Sequence, residues 1–140
     1  MPSRVFLDSN VFIFGLERPT SNSRRILDLL VGGKIQGVVT DRVVREVMKY
    51  TRKHHTKDMA GKLRDLILLT CDLILEEDLR IDRRLITLVG AKDAGALAAV
   101  RSSGLARLVS TDSDFAKIPE RRTPREYLRE ISERQSPGEE

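Results

Sequence analysis

Residues 5–10 read VFLDSN: Val5, Phe6 and Leu7 run straight into Asp8, Ser9 and Asn10. Three consecutive apolar residues of β-favouring type predict a short strand buried on both faces, as in a parallel sheet. A carboxylate at the end of such a strand stands at the edge where open α/β sheets bind their ligands. Taken alone, Asp8 reads equally well as a turn residue bonding local amides. The reading turns on whether other acids arrive at the same edge.

Working outward, the apolar run resumes from Val11 to Leu16 and ends near Pro19. Ser21 or Ser23 caps a helix in which Ile26, Leu27, Leu29 and Leu30 recur at helical spacing, and Gly32 and Gly33 stop it. Gly37 to Thr40 reads as a second strand. Asp41 then suits the N-cap of a helix with Val43, Val44, Val47, Met48 and Tyr50 on its apolar face. A helix follows from about Asp58 to Thr70; Leu73 to Leu75 reads as a third strand or as part of a helix, and a further helix runs from Leu79 to Val89, closed by Gly90. Asp93 to Ser103 is Ala-rich and helical up to Gly104, and Leu105 to Ser110 is the last clear strand. Thr123-Pro124-Arg125-Glu126 opens a final helix as a capping box with Pro at its first position. Strands alternating with helices predict an α/β fold with a mostly parallel sheet. The length of 140 residues fits one domain over residues 1–135, with the tail at 136–140 disordered.

The composition sets bounds. Hydrophobic residues make up 40% of the chain, enough for a core, and charged residues 33%, which implies a charge-laced surface. The net charge of +4 and a pI near 9.5 permit contact with phosphate. The single Cys71 excludes an internal disulfide and a cysteine zinc site. No apolar run approaches the ~20 residues of a membrane span, and MPSRVFLDSN lacks signal-peptide architecture. A cytoplasmic protein is expected.

Four segments deliver acids to the edge that Asp8 occupies. Glu46 borders the apolar stripe of its helix, near the end that follows the second strand. Asp93 has Ala96, Leu97 and Val100 at its i+3, i+4 and i+7 positions, so it projects from the apolar face of its helix. Asp112 and Asp114, in STDSDF, follow the last strand. Each has a structural alternative. Glu46 pairs with Arg42, Lys49 or Tyr50; Asp93 caps its own helix; Asp112 and Asp114 form a polar turn. Together, however, like charges repel unless a cation or protons intervene. Hard oxygen donors suit Mg²⁺ or Mn²⁺. His54 and His55 have no partner pattern for a metal and belong to the solvated basic surface.

These segments, VFLDSNVFI, VVTDRVVREV, KDAGALAAV and LVSTDSDF, resemble in order and spacing the motifs of PIN-domain ribonucleases, from about Val5 to Phe115. The likeness is greatest to the toxin ribonucleases of VapBC-type toxin–antitoxin pairs. The resemblance implies a three-layer α/β/α sandwich. It matches Asp8, Glu46, Asp93 and Asp112 to the four acids of the family's site, with Asp114 the acid just before Phe115. It places the metal on Asp8, Asp93 and Asp112. Asn10 matches a polar residue that supports Asp8, and Thr111 a small polar position beside the site where the family often carries Asn.

The implied reaction is metal-dependent hydrolysis of RNA phosphodiester bonds, with Mg²⁺ or Mn²⁺ as cofactor. A dense acidic pocket repels RNA, so basic side chains must bring the phosphates in. From Arg42 to Lys57 there are six Lys or Arg and one acid. Arg42, Arg45, Lys49, Arg52 and Lys53 are therefore the expected RNA contacts, with a merely solvated helix face as the alternative. The family likeness also implies a homodimer, for which the apolar helices between Met59 and Val89 offer a surface, and a small antitoxin covering the site.

Three other readings compete. A solitary RNA-processing PIN nuclease has the same chain. A non-catalytic RNA-binding or assembly module would tolerate loss of Asp8. A haloacid dehalogenase-type phosphatase needs Asp-x-Asp after its first strand, where this chain has Asp8-Ser9-Asn10.

Overall fold

The computed structural model describes residues 2–134. Five parallel strands form the central sheet: β1 (Ser3–Leu7), β2 (Ile35–Thr40), β3 (Cys71–Ile74), β4 (Leu108–Val109) and β5 (Arg121–Arg122), in the order β3-β2-β1-β4-β5. Seven helices flank the sheet among the described residues: α1 (Ser9–Glu17), α2 (Asn22–Val31), α3 (Asp41–His54), α4 (Lys57–Thr70), α5 (Arg83–Val89), α6 (Ala94–Ser102) and α7 (Pro124–Arg134). The α/β/α sandwich is thus the observed architecture, and its sheet is wholly parallel.

The strands are buried because their side chains meet helices on both faces. Val5, Phe6, Leu7, Val38, Val39, Leu108 and Val109 all lie in one core with Phe12, Ile26, Ile67, Leu97 and Phe115. Val38 pairs in register with Phe6, and Phe6 with Leu108, so β1 is the sheet's centre. The chain moves from β1 outward to β2 and β3, then crosses to the other side of β1 for β4 and β5. The strand order therefore reverses between β1 and β4. A crevice opens beyond the carboxyl ends of strands at such a switch point, and Asp8 and Ser110 are the first residues past those two ends.

Several element boundaries differ from the sequence expectation, each for a local reason. Asp41 is not the cap of α3. The Thr40 hydroxyl caps it, accepting from the Val43 amide at 3.3 Å, and Asp41 instead accepts from the Glu76 amide and Arg45. The strand expected at Leu73–Leu75 begins two residues earlier, because α4 ends at Thr70 and passes into β3 without a loop. The helix expected from Leu79 is confined to α5, where Asp82 accepts from the Arg84 and Leu85 amides. The strand expected over Leu105–Ser110 shrinks to two residues. Leu105 belongs to the end of α6: its amide reaches back to the Val100 carbonyl at 2.9 Å, across Gly104 at φ 65°. Strand β5 was not expected at all. The capping box at Thr123 is present, with the Thr123 hydroxyl accepting from the Glu126 amide and Glu126 accepting from the Thr123 amide. The expected tail at 136–140 lies outside the described residues. No helix among the described residues is long and apolar enough to cross a membrane.

Candidate active site

The site is built around Ser110, a residue that sequence reasoning passed over. Ser110 follows β4 and is fully buried. Its hydroxyl donates to Asp8 Oδ2 at 2.7 Å and accepts from Asn10 Nδ2 at 3.1 Å and from the Asp112 amide at 3.0 Å. One hydroxyl thus ties the end of β1 to the turn after β4. Asn10 completes the tie: its Nδ2 donates to Asp8 Oδ2 at 3.2 Å, and its Oδ1 accepts from the Thr111 amide at 3.1 Å. Thr111 contributes this backbone N–H, and its side chain is exposed. Arg121 holds the same turn from β5, donating to the Ser110 carbonyl from Nε and to the Asp112 carbonyl from Nη2, both at 3.2 Å.

Asp8 is 8% exposed and also accepts from the Ser9 amide at 2.8 Å. Burial pushes its carboxyl above the ordinary range and the Asp112 charge adds to this, while the bonds from Ser110 and Ser9 and the Lys92 charge act the other way. Asp8 is therefore both a turn residue and a member of an acidic cluster. Glu46, on α3, is likewise raised, first by burial and then by the charge of Asp8; Lys92 and Arg42 oppose this. Its carboxylate is met by Lys92 Nζ at 4.0 Å, a residue not singled out from the sequence.

Asp93 sits at the N-cap position of α6, yet its side chain makes no capping bond. The structural alternative for this residue therefore fails, and its carboxylate is left for the cluster. Burial, with the charges of Asp8, Asp112 and Asp114 behind it, pushes Asp93 up to about 6, with Lys92 pulling the other way. One oxygen from each of Asp93, Asp112 and Asp114 lies within 4.8 Å of the others. Asp112 also accepts from the Asp114 amide at 2.9 Å, so the expected polar turn exists and brings the two acids side by side. Asp8 is not part of this trio, though its charge acts on Asp93, and its oxygens are occupied by Ser9, Asn10 and Ser110.

Gly95, in the first turn of α6, lets the Glu76 carboxylate approach closely, into the space a Cβ would take. Of the basic residues on α3, Arg42 reaches Glu46 through its charge, and Arg45 is paired with Asp41 at 2.8 Å. Lys49, Arg52 and Lys53 are exposed further along the helix. His55 and Tyr50 both contact Glu17, at 3.0 and 2.8 Å, away from the acids.

The chain matches the PIN domain family over residues 4–114. The protein belongs to the PIN domain family. No curated protein matches the sequence significantly. Among solved structures, the fold of this PIN domain is similar to a chain of a toxin–antitoxin complex from Klebsiella pneumoniae, with 21% identity, a TM-score of 0.60, and 86% of this chain and 97% of that one covered. It is also similar to a chain of VapBC2 from Rickettsia felis bound to a DNA fragment from their promoter, with 17% identity, a TM-score of 0.61 and coverages of 86% and 98%. A third similar structure is VapC20 of Mycobacterium tuberculosis, a Sarcin-Ricin loop cleaving toxin, with 13% identity, a TM-score of 0.55 and coverages of 80% and 92%. At these identities the likeness is one of fold. The PIN resemblance read from the sequence motifs is borne out.

Proposed function

We propose that this PIN domain is an endoribonuclease, dependent on Mg²⁺ or Mn²⁺, and the toxin of a toxin–antitoxin pair. The observation that carries the nuclease reading is the trio of Asp93, Asp112 and Asp114 oxygens within 4.8 Å of one another, with Asp93 pushed up to about 6 by its neighbours and its burial. The donor set fits a hard divalent ion: carboxylate oxygens only, clustered, and short of a compensating cation. Asp93, Asp112 and Asp114 would hold the ion, with Asp8 adding its charge. When bound, the ion supplies Lewis acidity and charge neutralisation for in-line attack on a phosphodiester.

The chain's own residues do the rest. Asn10 and Ser110 fix the rotamer of Asp8 from two sides. Ser110, the Thr111 amide and Arg121 hold the turn that carries Asp112 and Asp114. Glu46, raised by burial beside Asp8, accepts the proton of the attacking water. Arg42, Arg45, Lys49, Arg52 and Lys53 line up along α3 and draw the RNA backbone toward the site.

The toxin assignment is supported by the three similar folds, whose descriptions name toxin–antitoxin complexes or an RNA-cleaving toxin. It implies a small antitoxin, a homodimer and action in the cytoplasm. Between Met59 and Val89, Leu69, Leu73, Ile81 and Ile86 are exposed, and a dimer would cover apolar surface of this kind. The test is cleavage of total RNA by the purified chain with Mn²⁺, with Mg²⁺ and with chelator. Metal-dependent cleavage that is lost on Asp112→Asn is expected. Metal-independent cleavage, or none by a folded protein freed of any antitoxin, contradicts the reading.

A further inference from the structure

The acid cluster poses a problem for any nuclease reading: it repels the polyanion it must cut. A cation is needed at the cluster itself, beyond the cations spread along α3. Arg121 is spent on the Ser110 and Asp112 carbonyls. Arg45 is held by Asp41. Among the described residues, one ion pair includes a member of the acid cluster, and it is Lys92–Glu46.

Three features distinguish Lys92. Its charge reaches Asp8, Glu46 and Asp93, acids contributed by three different segments of the site. Its side chain is 65% exposed, and its 4.0 Å approach to Glu46 is at the outer limit of an ion pair. A pair so exposed is weak, so a better anion displaces the carboxylate readily. Lastly, Lys92 lies in the link between α5 and α6, immediately after Gly90 at φ 90° and Ala91. The positive φ suits glycine and turns the chain out of α5 just before Lys92. An ammonium group has three donors without fixed geometry, so it can turn from a carboxylate to a phosphate with little rearrangement.

We propose that Lys92 is the substrate-anchoring cation of this site: a phosphodiester group of bound single-stranded RNA takes its ammonium from Glu46. This rests on the nuclease reading and deepens it. In the resting protein Lys92 shields the acids. In the complex it holds a non-bridging phosphate oxygen and leaves Glu46 free to accept a proton.

The inference has two consequences of opposite sign, which a merely structural residue would not produce. Lys92→Gln removes a positive charge from beside the acids, so Mn²⁺ binds about 3- to 10-fold more tightly. The same change removes one phosphate contact, so RNA affinity falls and its salt dependence flattens by about 0.7 in the log–log slope. Lys92→Arg keeps both near wild type. The experiment is Mn²⁺ calorimetry on the wild type and both variants, with anisotropy of a labelled single-stranded RNA in chelator across a salt series. Tighter Mn²⁺ and weaker, flatter RNA binding in Lys92→Gln alone is the expected result. Wild-type binding of both ligands with no change in Lys92→Gln, or loss of both affinities together, overturns the role of Lys92 and leaves the nuclease reading standing. A folded wild type that binds neither overturns both.

Discussion

Asp93 and Glu130 are both partly buried carboxylates, and the fold treats them in opposite ways. Glu130, on α7, receives Arg107 through three contacts of 3.0–3.2 Å and Arg122 Nε at 3.1 Å. The Arg107 bonds, and then those of Arg122, hold its carboxyl below the ordinary range despite some burial. Asp93 has Asp8, Asp112 and Asp114 for neighbours and is pushed up to about 6. A structural acid is neutralised by its own chain. Asp93 is left short of countercharge, with Lys92 alone acting against its acidic neighbours. Asp93 stands at the start of α6 and Glu130 lies on α7, so one fold holds both kinds of carboxylate.

The largest expected effect is on turnover. Asp112→Asn keeps the hydrogen bonds of the turn but removes a charge from the trio, and RNA cleavage should fall by about 10³-fold or more with the circular dichroism spectrum unchanged. Glu130→Gln should leave cleavage near wild type. Next comes stability, where the comparison predicts opposite signs. Asp93→Asn relieves like-charge repulsion and should stabilise the metal-free protein by about 1–3 kcal/mol at pH 8. Glu130→Gln breaks charge-assisted bonds and should destabilise by about 1–2 kcal/mol. Urea titrations of the two variants measure both.

The pH dependence follows with the same logic. The native protein takes up a proton at Asp93 below about 6, whereas the unfolded chain does so only near the ordinary aspartate value of 3.8. Protons therefore favour the native state in that window, and stability of the metal-free protein should drop as pH rises through about 6. Asp8 and Glu46, both raised, act in the same direction. Glu130 does the reverse: its contribution is present above its unfolded value of 4.5 and is lost as pH falls through its lowered native value. Thermal melts across pH should lose part of the neutral-side slope in Asp93→Asn, the rest belonging to Asp8 and Glu46, and part of the acid-side slope in Glu130→Gln. The smallest effect is that of Ser110→Ala, which removes the hydroxyl joining Asp8 to the Asp112 turn. About 1–2 kcal/mol of stability and about tenfold in turnover should be lost, both measurable on the same preparation.

Much of this contrast was legible in the sequence, but only on one side. Asp8 and Asp112 announce themselves because they follow apolar runs whose period predicts strands, and strand ends share an edge. Asp93 does so because its helical spacing places it among apolar residues. Ser110 and Lys92 gave no such signal. Their roles depend on partners 102 and 46 residues away, Asp8 and Glu46, which only the folded topology brings near. Strand β5 was missed for a related reason. Arg121 and Arg122 carry no apolar pattern, and they pair with β4 through the backbone alone: the Leu108 amide donates to the Glu120 carbonyl and the Ser110 amide to the Arg122 carbonyl. The Glu130 clasp was equally silent, since Arg107, Arg122 and Glu130 look like ordinary surface charge until the sheet edge and α7 meet.

The central claim is that the acids at the β1–β4 switch point outnumber the cations beside them, so that a divalent cation completes their compensation. Calorimetric titration of Mn²⁺ into the metal-free protein tests it most directly, with the Asp93→Asn/Asp112→Asn double variant beside the wild type. The account predicts saturable binding by the wild type, weakening as pH falls through about 6 as protons compete at Asp93, and no binding by the folded double variant. Wild-type protein that is folded yet takes up no Mn²⁺ at pH 8, or a double variant that binds as well as wild type, would contradict it.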